Sequence, residues 1–431
     1  MLDISLRPFW RSMAFLVPLL LFAIMFAVFV TRVAASATWG DSADVASIRR
    51  AIAWDSKNPE WYYRRGLVEL WDSGAPQEAV ADFRKAVELA PLGERYWSQL
   101  AQACFANGDQ SCADQTTLRT TQLAPFVPRY QWDAALYYAV TDRHEAGFRS
   151  LNRCIDLQPE GAPKALASMY RTIADPEGIW RNVVSNKPAD LKLYYLDVLL
   201  QDGKLELARM YWKSIADSGT RVGIEAAMPY TERLIASGQY PDAIDVWRYL
   251  QKTGAISSAD ASNLLYNGQF ATEPLNAGFD WRLAKEKYVT VSVADVAASS
   301  AGRALIIDFT VPQNSTSEPV FQYVPVTPGQ RYELKADVKS EAITSDSGPR
   351  LRVSDAVCPT CLDASSEGVT GNTGWHEMSI AFAPGPQTQV VRISILRPRS
   401  RAFPMEISGY FYIRNVRLTV VPGIQNPASG Q

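Results

Sequence analysis

Histidine is nearly absent from this sequence: His144 and His376 are the only two among 431 residues. Transition-metal sites in proteins draw heavily on histidine, so a histidine-rich metal centre is excluded. The chain also has no glycine-rich phosphate loop and no nucleophile elbow. Structural positions are expected for both histidines, one in a helix-joining turn and one at a strand start. The sequence therefore predicts no metal, no cofactor and no catalytic residue.

An excess of charge of one sign is also missing, since 43 Lys+Arg face 45 Asp+Glu. A nucleic-acid partner is not expected, because polyanion binding usually needs a clear basic surplus. The paired carboxylates of a glycoside hydrolase need to be close only in space, so the sequence can hide them. No such pair is singled out here. We therefore expect a protein that is not an enzyme, with a hydrolase or lyase as the minor alternative.

Cysteine is scarce, with five residues in all. Cys104 and Cys112 flank the turn of one predicted helical hairpin, while Cys358 and Cys361 form a CPTC sequence with no second CxxC. Because a redox or metal motif lacks its usual context, a structural disulfide within each pair is the main expectation for an oxidising compartment. Free thiols and a metal site are the alternatives. Cys154 is left over and is expected to be buried.

One long hydrophobic run is present, from 12 to 31, and it carries no charged residue. Twenty helical residues span roughly 30 Å, which is the thickness of a bilayer core. Arg7 and Arg11 precede the run, which favours a cytoplasmic N-terminus and an exported remainder. A cleavable signal peptide is the alternative, because Ala35-Ser36-Ala37 has the small-x-small form of a cleavage site.

The predicted location follows from this run. Residues 1–11 form a cytoplasmic N-terminus, 12–31 a transmembrane helix and 32–43 a linker. The protein is then a single-pass protein of the inner (cytoplasmic) membrane, and the bulk of the chain lies in the periplasm or outside the cell.

Three prolines mark an internal repeat. Pro91, Pro125 and Pro159 recur at an interval of 34 residues, and each closes a similar phrase. A fixed period of this size indicates stacked supersecondary units, which must pack on one another to bury their apolar faces. Inside the period, Trp97, Leu100, Ala101 and Cys104 have the spacing of one helix face.

This pattern resembles the tetratricopeptide repeat (TPR), in which two antiparallel helices pack through an aromatic, a Leu, small residues and a closing Pro. The unit before Pro91 fits with one extra residue in its turn. Two later units, within 193–215 and 229–251, look like the same family with drift, and the stretch between Pro159 and Leu191 is irregular. The resemblance implies an all-α solenoid over 44–256 that binds a protein partner. The candidate residues for its groove are Tyr63, Arg64, Trp71 and Tyr137, with interhelical packing as the alternative role.

The composition changes near residue 256. SSADASN (257–263) has the composition of a linker, and eight segments of alternating apolar and β-branched residues follow it, starting at 288, 304, 320, 331, 350, 376, 389 and 409. Many short strands separated by turns predict an all-β sandwich, here a jelly roll. The predicted fold class is therefore multidomain, with a transmembrane helix, a TPR-like solenoid and a C-terminal jelly-roll sandwich over 264–423. Residues 424–431 are expected to be a disordered tail.

Several phrases in this half, among them LLYNGQF (264–270), VTPGQRYELKADVKS (326–340) and YFYIRNVRL (410–418), come in the order found in bacterial carbohydrate-binding modules. The resemblance implies a β-sandwich that binds a glycan. The acidic residues that often hold a structural calcium in this family are missing, since Ala271 follows Phe270 and Arg414-Asn415 stand where Asp is common.

A sugar site needs aromatic rings presented flat, with polar groups around them. The candidate rings are Tyr410, Tyr412, Trp281 and Trp375, with packing in the core as the alternative, and above all for the two tryptophans. Arg397, Arg399 and Arg401 alternate and so share one face if the segment is extended. Guanidinium groups so placed grip carboxylates or phosphates, whereas a solvated sheet edge is the alternative.

Three hypotheses follow for function. The first is a membrane-anchored scaffold that binds a protein through the repeats and a glycan through the sandwich, in envelope or exopolysaccharide assembly. The second is a protein-interaction scaffold whose sandwich is purely structural. The third is a glycan-active hydrolase or lyase.

Overall fold

The computed structural model describes residues 9–40, 44–257, 262–296 and 302–421. Within these ranges fourteen α-helices come first and ten β-strands follow, which confirms the predicted fold class. Packing divides the chain into two compact units, Met1–Ser185 and Asn186–Gln431. The boundary expected from composition, at 256/257, lies inside the second unit. The predicted tail, 424–431, and residues 258–261 of the predicted linker lie outside the described residues.

The first helix, α1 (Phe9–Gly40), contains the hydrophobic run. Within Phe15–Gly40 its most apolar 18-residue window has a mean hydropathy of 2.4 and is not buried against protein, so this segment is long and apolar enough to cross a membrane. A signal sequence meets the same criteria. The helix continues to Gly40 where a linker was expected from residue 32, because no proline or internal glycine interrupts 32–39.

The rest of the first unit consists of helical hairpins. Its helices are α2 (Val45–Trp54), α3 (Pro59–Leu67), α4 (Pro76–Leu89), α5 (Glu94–Ala106), α6 (Gln110–Leu123), α7 (Pro128–Val140), α8 (His144–Leu157), α9 (Ala162–Ile173) and α10 (Pro176–Ile179). Pro91, Pro125 and Pro159 each stand two residues after the end of a helix, where proline cannot continue the helix. The periodic prolines therefore mark the ends of α4, α6 and α8.

Two segments depart from the regular hairpin. α3 runs on into a π-helical turn, Val68–Asp72, and α10 into another, Trp180–Val184. A π turn accommodates one residue more than the α-helix does. The extra residue expected in the turn of the first repeat thus lies inside the helix. The predicted irregular stretch after Pro159 holds α9 and the short α10.

The second unit begins with two further hairpins, α11 (Ala189–Gln201) with α12 (Leu205–Asp217), and α13 (Ile224–Ala236) with α14 (Tyr240–Lys252). Gly203 and Gly238 join the helices of each hairpin at φ values of +72° and +74°. A side chain is disfavoured in that left-handed conformation. These hairpins correspond to the two later repeats predicted from the sequence.

The strands form two five-stranded antiparallel sheets. They are β1 (Arg282–Leu283), β2 (Thr290–Asp295), β3 (Arg303–Gln313), β4 (Ser317–Pro325), β5 (Arg331–Ile343), β6 (Arg350–Asp355), β7 (Asp363–Ser365), β8 (Gly371–Phe382), β9 (Val390–Arg397) and β10 (Ile407–Val421). One sheet has the order β1-β4-β9-β6-β7 and the other β2-β3-β10-β5-β8. Apolar side chains from alternate positions of both sheets, such as Ile307, Ile393 and Phe411, form one buried core.

The last two helices pack directly on the sandwich within the second unit. The ring of Trp247 on α14 lies 5.2 Å from that of Tyr266 and 5.9 Å from that of Phe279. Glu232 on α13 accepts two hydrogen bonds from the guanidinium of Arg282, at 2.7 and 2.8 Å. The sandwich and these helices therefore share an interface of buried rings and a paired charge.

Candidate functional site

A groove opens among α5, α6 and α7 in the first unit, with a cavity volume of about 580 Å³. We call it the α5–α7 groove. The large side chains along it are Trp71, Phe105, Tyr130, Leu136, Tyr137 and Val140. Three of them are well exposed, since Trp71 is 64%, Val140 54% and Phe105 47% accessible. Apolar side chains so exposed around one concavity are typical of a site for another molecule.

Trp71 lies within the π turn and lines the groove. Within Val68–Asp72, Glu69 and Leu70 are buried whereas Trp71 points outward. π turns within α-helices are frequent at functional sites. The first repeat is one residue longer than the second. This extra residue lies in the π turn that also contains Trp71, the most exposed ring of the groove.

The far side of the groove is held rigidly. Tyr137 is buried, lies 5.6 Å edge-on from Phe105 and donates its hydroxyl proton to Asp114. Arg143 pairs with Asp114 at 2.6 Å and lies 5.0 Å from the Tyr137 ring centroid. Burial and the hydrogen bond to Asp114 raise the pKa of Tyr137 to about 12. The phenol is therefore neutral at physiological pH and acts as a fixed wall.

One acidic side chain lies among these apolar residues. Asp133 lines the groove, and its Oδ2 atom is buried without a hydrogen-bond partner. The nearest cation is Arg129, whose Nε atom is 4.0 Å away. Burial raises the pKa of the Asp133 carboxyl. The groove thus contains a carboxyl oxygen, Oδ2 of Asp133, that accepts no hydrogen bond within the described part of the chain.

The residues predicted for the groove separate into two pairs. Trp71 and Tyr137 line it. Tyr63 does not: it packs between Phe83 and Tyr96, at 6.0 and 5.3 Å between ring centroids. Arg64 does not either, since it bonds to Glu60 and to the carbonyl of Gly40. These two side chains join neighbouring helices, which is the alternative role named for them from the sequence.

The second candidate surface is the outer face of the β10 sheet, which we call the aromatic face. Phe411 and Ile413 point into the core, so Tyr410 and Tyr412 point outward. The two tyrosine rings are 6.4 Å apart, and the ring of Trp375 on β8 is 6.4 Å from that of Tyr412. The aromatic face thus combines three of the four rings named from the sequence.

Charged side chains surround these rings. Arg414 lies over Trp375 at 4.1 Å from the ring centroid, and Lys339 over Tyr412 at 5.1 Å. The Tyr412 hydroxyl donates to Glu341 at 2.9 Å, and burial together with this carboxylate raises its pKa to about 12. Because Arg414 and Lys339 cover the other rings, Tyr410, which is 40% exposed, is the most open ring of the face.

Trp281 is not available to a ligand. It is 1% exposed, packs against Phe270 at 5.4 Å and donates its indole N–H to the carbonyl of Asn267 at 3.1 Å. Its place in the glycan-binding set is therefore corrected: the ring fills the core at the edge of the sandwich.

Arg397 is also misplaced in the predicted set, because it is 1% exposed. Its guanidinium donates to the carbonyls of Ser315 and Met405 at 2.6 and 2.8 Å. Burial lowers the pKa of this guanidinium. Arg399 and Arg401 are exposed but lie in the loop after β9, which ends at Arg397. The three arginines therefore do not form one extended basic row.

Sequence reasoning missed several residues at both surfaces. Phe105 and Asp133 of the groove and Lys339, Glu341 and Arg414 of the aromatic face were not named as binding residues in advance. A usable signal existed for β5 and β10, whose alternate residues share one outer face across a sheet. Nothing in the sequence showed that these two strands pair, as they do through Tyr412 and Lys339.

The four paired cysteines form two disulfides in the structure. Cys104 joins Cys112 with Cα atoms 5.7 Å apart, and Cys358 joins Cys361 at 5.3 Å. Cys154 is a free, buried thiol. Among the described residues no group of three or more His, Cys, Asp or Glu side chains is arranged to hold a metal ion.

No protein-family model and no curated protein matches the chain. Solved structures match parts of it. The enzymatically active domain of bacteriophage CBA120 tailspike protein 4 is 16% identical, with a TM-score of 0.28, over 37% of this chain and 21% of that chain. This chain therefore spans about a fifth of the tailspike domain.

Two further solved structures also match parts of the chain. A CBM4 carbohydrate-binding module is 13% identical with a TM-score of 0.28, over 36% of this chain and 99% of that one. YrrB, a TPR protein with an unusual peptide-binding site, is 16% identical with a TM-score of 0.29, over 39% of this chain and 81% of that one. The chain is thus similar in parts to TPR proteins and to carbohydrate-binding modules, and this low similarity assigns it no ligand.

Proposed function

We propose that this protein is a non-catalytic scaffold, anchored in the cytoplasmic membrane by α1, whose α5–α7 groove binds an apolar segment of a partner protein. The observation that carries the proposal is the exposure of Trp71 and Phe105 around a cavity of about 580 Å³. Aromatic side chains dominate the binding energy of protein interfaces. Exposing them to water without a partner is unfavourable.

The partner segment should carry one basic side chain among its apolar ones. The unused Oδ2 atom of Asp133 lies inside the groove, and a cation there would supply the missing hydrogen bond. A charge-assisted hydrogen bond in such a site is stronger than a neutral one. A wholly apolar segment would leave that oxygen buried without a hydrogen bond, which is costly.

The setting that we propose is the exported side of the membrane, in envelope or exopolysaccharide assembly. Two disulfides support an oxidising compartment for the residues that follow α1.

Photo-crosslinking in cells tests the groove. A photoreactive residue in place of Phe105 should form a specific adduct, whose partner peptide mass spectrometry identifies. The matched control is Leu118, which is 52% exposed on α6 but does not line the groove. Equal adducts from both positions would contradict a groove-specific partner.

Isothermal titration of the identified peptide then measures the contribution of each side chain. Trp71→Ala and Phe105→Ala should each weaken binding by at least tenfold, as expected for a central aromatic contact. Asp133→Asn should weaken a basic peptide more than the same peptide with its cation replaced by glutamine. Affinities that none of these variants alters would refute the proposal.

A second candidate function is glycan binding by the aromatic face, and the open ring of Tyr410 beside Tyr412 and Trp375 favours it. Aromatic rings stack on sugar rings. Lys339 and Arg414 are each paired with a carboxylate, Glu341 at 2.6 Å and Asp337 at 3.7 Å, so the rings carry this candidate function. Affinity electrophoresis of the full chain in neutral detergent, through gels with neutral or acidic polysaccharides, tests this function. Tyr410→Ala should abolish retardation, whereas Trp54→Ala, which removes an exposed ring of the first unit, should not. Absence of retardation for the unaltered chain would leave the sandwich a structural domain.

A further inference from the structure

A second cavity, of about 510 Å³, lies between α12 and α14 in the second unit. Its volume is in the range of small-molecule sites. Trp212 and Tyr249 form an aromatic wall, with their rings 5.4 Å apart and nearly perpendicular. This cavity shares no residue with the α5–α7 groove or the aromatic face, so an inference about it does not rest on the function proposed above.

A buried hydroxyl without a partner lies at the base of this cavity. Tyr230 is 1% exposed, lines the cavity, and its hydroxyl makes no hydrogen bond to the protein. Buried hydroxyls in native proteins are nearly always paired. The hydroxyl of Tyr230 is therefore in place to donate to an acceptor atom that enters the cavity.

The rim of the cavity is basic. Lys213, Arg248 and Lys252 line it and are exposed, and none of the three forms an ion pair within the described ranges. The fourth basic residue, Arg209, is held by Asp242 at 2.8 Å. Asp245 is the only acidic lining residue outside that pair. The cavity thus presents several donors and an excess of positive charge.

These donors match a phosphate group better than a carboxylate. A phosphate monoester carries a charge of about −1.5 to −2 at pH 7 and three acceptor oxygens, whereas a carboxylate carries one charge and two oxygens. The planar guanidinium of Arg248 can bind two phosphate oxygens at once. The wall of Trp212 and Tyr249 offers a surface for a ring or chain attached to the phosphate.

We infer that the cavity between α12 and α14 binds a small molecule through a phosphate monoester, held by Lys213, Arg248 and Lys252 and by the hydroxyl of Tyr230. The ligand is either a free phosphorylated compound, such as a sugar phosphate, or a lipid with a terminal phosphate. Both sources present the same group to these side chains.

Isothermal titration of the full chain in neutral detergent at low salt tests this inference. Glucose 6-phosphate should bind, and glucose should not. Glucuronate, which replaces phosphate by carboxylate, should bind at least tenfold more weakly, and equal binding of glucuronate would overturn the assignment to phosphate. Tighter binding of short-chain phosphatidic acid than of glucose 6-phosphate would support the lipid as the source, and the reverse would support the free compound.

Substitutions of the residues that line the cavity show whether the phosphate compound binds there. Lys213→Gln and Arg248→Gln should each weaken binding of glucose 6-phosphate at least fivefold. Lys204→Gln is the matched control, an exposed lysine beside the start of α12 that does not line the cavity. Tyr230→Phe removes only the unpaired hydroxyl, so the fold should persist while affinity falls two- to tenfold. Undetectable binding of all the phosphate probes, or affinities equal in all variants, would overturn the inference.

Discussion

Asp280 is a carboxyl group buried completely at the edge of the sandwich. It accepts hydrogen bonds from the backbone N–H groups of Trp281 and Leu275, at 2.7 and 2.8 Å. These bonds favour the ionised form, but burial outweighs them and raises the pKa of Asp280 to about 6. The protein therefore keeps in its core an acid that changes charge in mildly acidic solution.

The sign of the pH effect follows from proton binding. Asp280 in the folded state binds a proton more tightly than in the unfolded state, where the pKa is near 3.8. Stability contributed by this group is thus greatest below about pH 4 and falls as the pH rises to about 6, by roughly 2–3 kcal/mol. We expect Asp280→Asn to remove this component. Urea denaturation at pH 4.5, 5.5 and 7.0, followed by hydrogen exchange of sandwich peptides, measures it; an unchanged pH dependence in the variant would contradict the assignment.

Arg397 has a structural role, and the exposed Arg399 provides a comparison for measuring it. Arg397→Met would leave the carbonyls of Ser315 and Met405 without their donor. We expect the unfolding free energy to fall by about 2–5 kcal/mol, since each buried unpaired group is costly. Arg399→Gln, at an exposed position, should change it by less than about 0.5 kcal/mol. Thermal or urea denaturation compares the two, and similar losses would contradict the buried role.

For single residues, the sequence predicted which side chains share one face of a strand better than it predicted which face is buried. Alternation placed Tyr410 and Tyr412 on one face and Phe411 on the other, as the structure has them. It failed for the predicted row of Arg397, Arg399 and Arg401, because alternation holds only while the strand lasts. Arg397 is the last residue of β9 and is buried like Ile393 and Ile395, whereas Arg399 and Arg401 follow the strand. It also could not show that Asn314, Ser315 and Met405, distant in sequence, provide acceptors for the guanidinium of Arg397.

Among the helical elements, the hairpin of α5 and α6 is covalently closed by Cys104 and Cys112. In the chain-entropy model a loop of this size contributes about 2–3 kcal/mol, and the much shorter loop of Cys358 and Cys361 contributes less. Replacing both cysteines of the hairpin with alanine should lower the unfolding free energy of the first unit by that amount. Denaturation of the unaltered chain with and without reductant provides the comparison. A loss on reduction that the double variant does not reproduce would contradict this account.

Helices and strands long enough to show a repeating sequence pattern were predictable, whereas strands of two or three residues were not. The proline interval placed the ends of α4, α6 and α8, and all eight predicted strands are present as β2 to β6 and β8 to β10. The missed strands, β1 and β7, have two and three residues, too few to show alternation. The π turn at Val68–Asp72 appeared in the sequence only as a surplus residue, because local patterning does not determine where a helix accommodates it.

For the molecule as a whole, the contact between the last two helices and the sandwich places them in the same compact unit. Trp247 packs against Tyr266 and Phe279, and Glu232 binds Arg282. Gly278, at φ +60°, also comes so close to the Trp247 ring that a Cβ atom would lie 2.3 Å from it. Composition marks a change at residue 256, but composition cannot reveal contacts made across that change.

A cleavage experiment tests this division. A protease site introduced between Ser257 and Ser262 should be cut, and the two fragments should still elute together in size-exclusion chromatography in neutral detergent. The combined variant Trp247→Ala with Arg282→Gln should weaken the association of the fragments at least tenfold, because it removes the Trp247 ring contacts and the ion pair and leaves only the contact of Tyr240 with Tyr323 among the ring pairs. If the fragments separate even when Trp247 and Arg282 are retained, the boundary at 256/257 also divides two independent compact units.

The same interface limits how such a sandwich can be exchanged between proteins in evolution. A recombination event at residue 257 would transfer the strands without α13 and α14, and Phe279 and Tyr266 would lose the Trp247 ring that covers them. A crossover between Ser185 and Asn186 carries both sides of the contact together. The heritable module would then be two hairpins with a sandwich, and a relative that carries the sandwich alone should have polar residues in place of Tyr266 and Phe279.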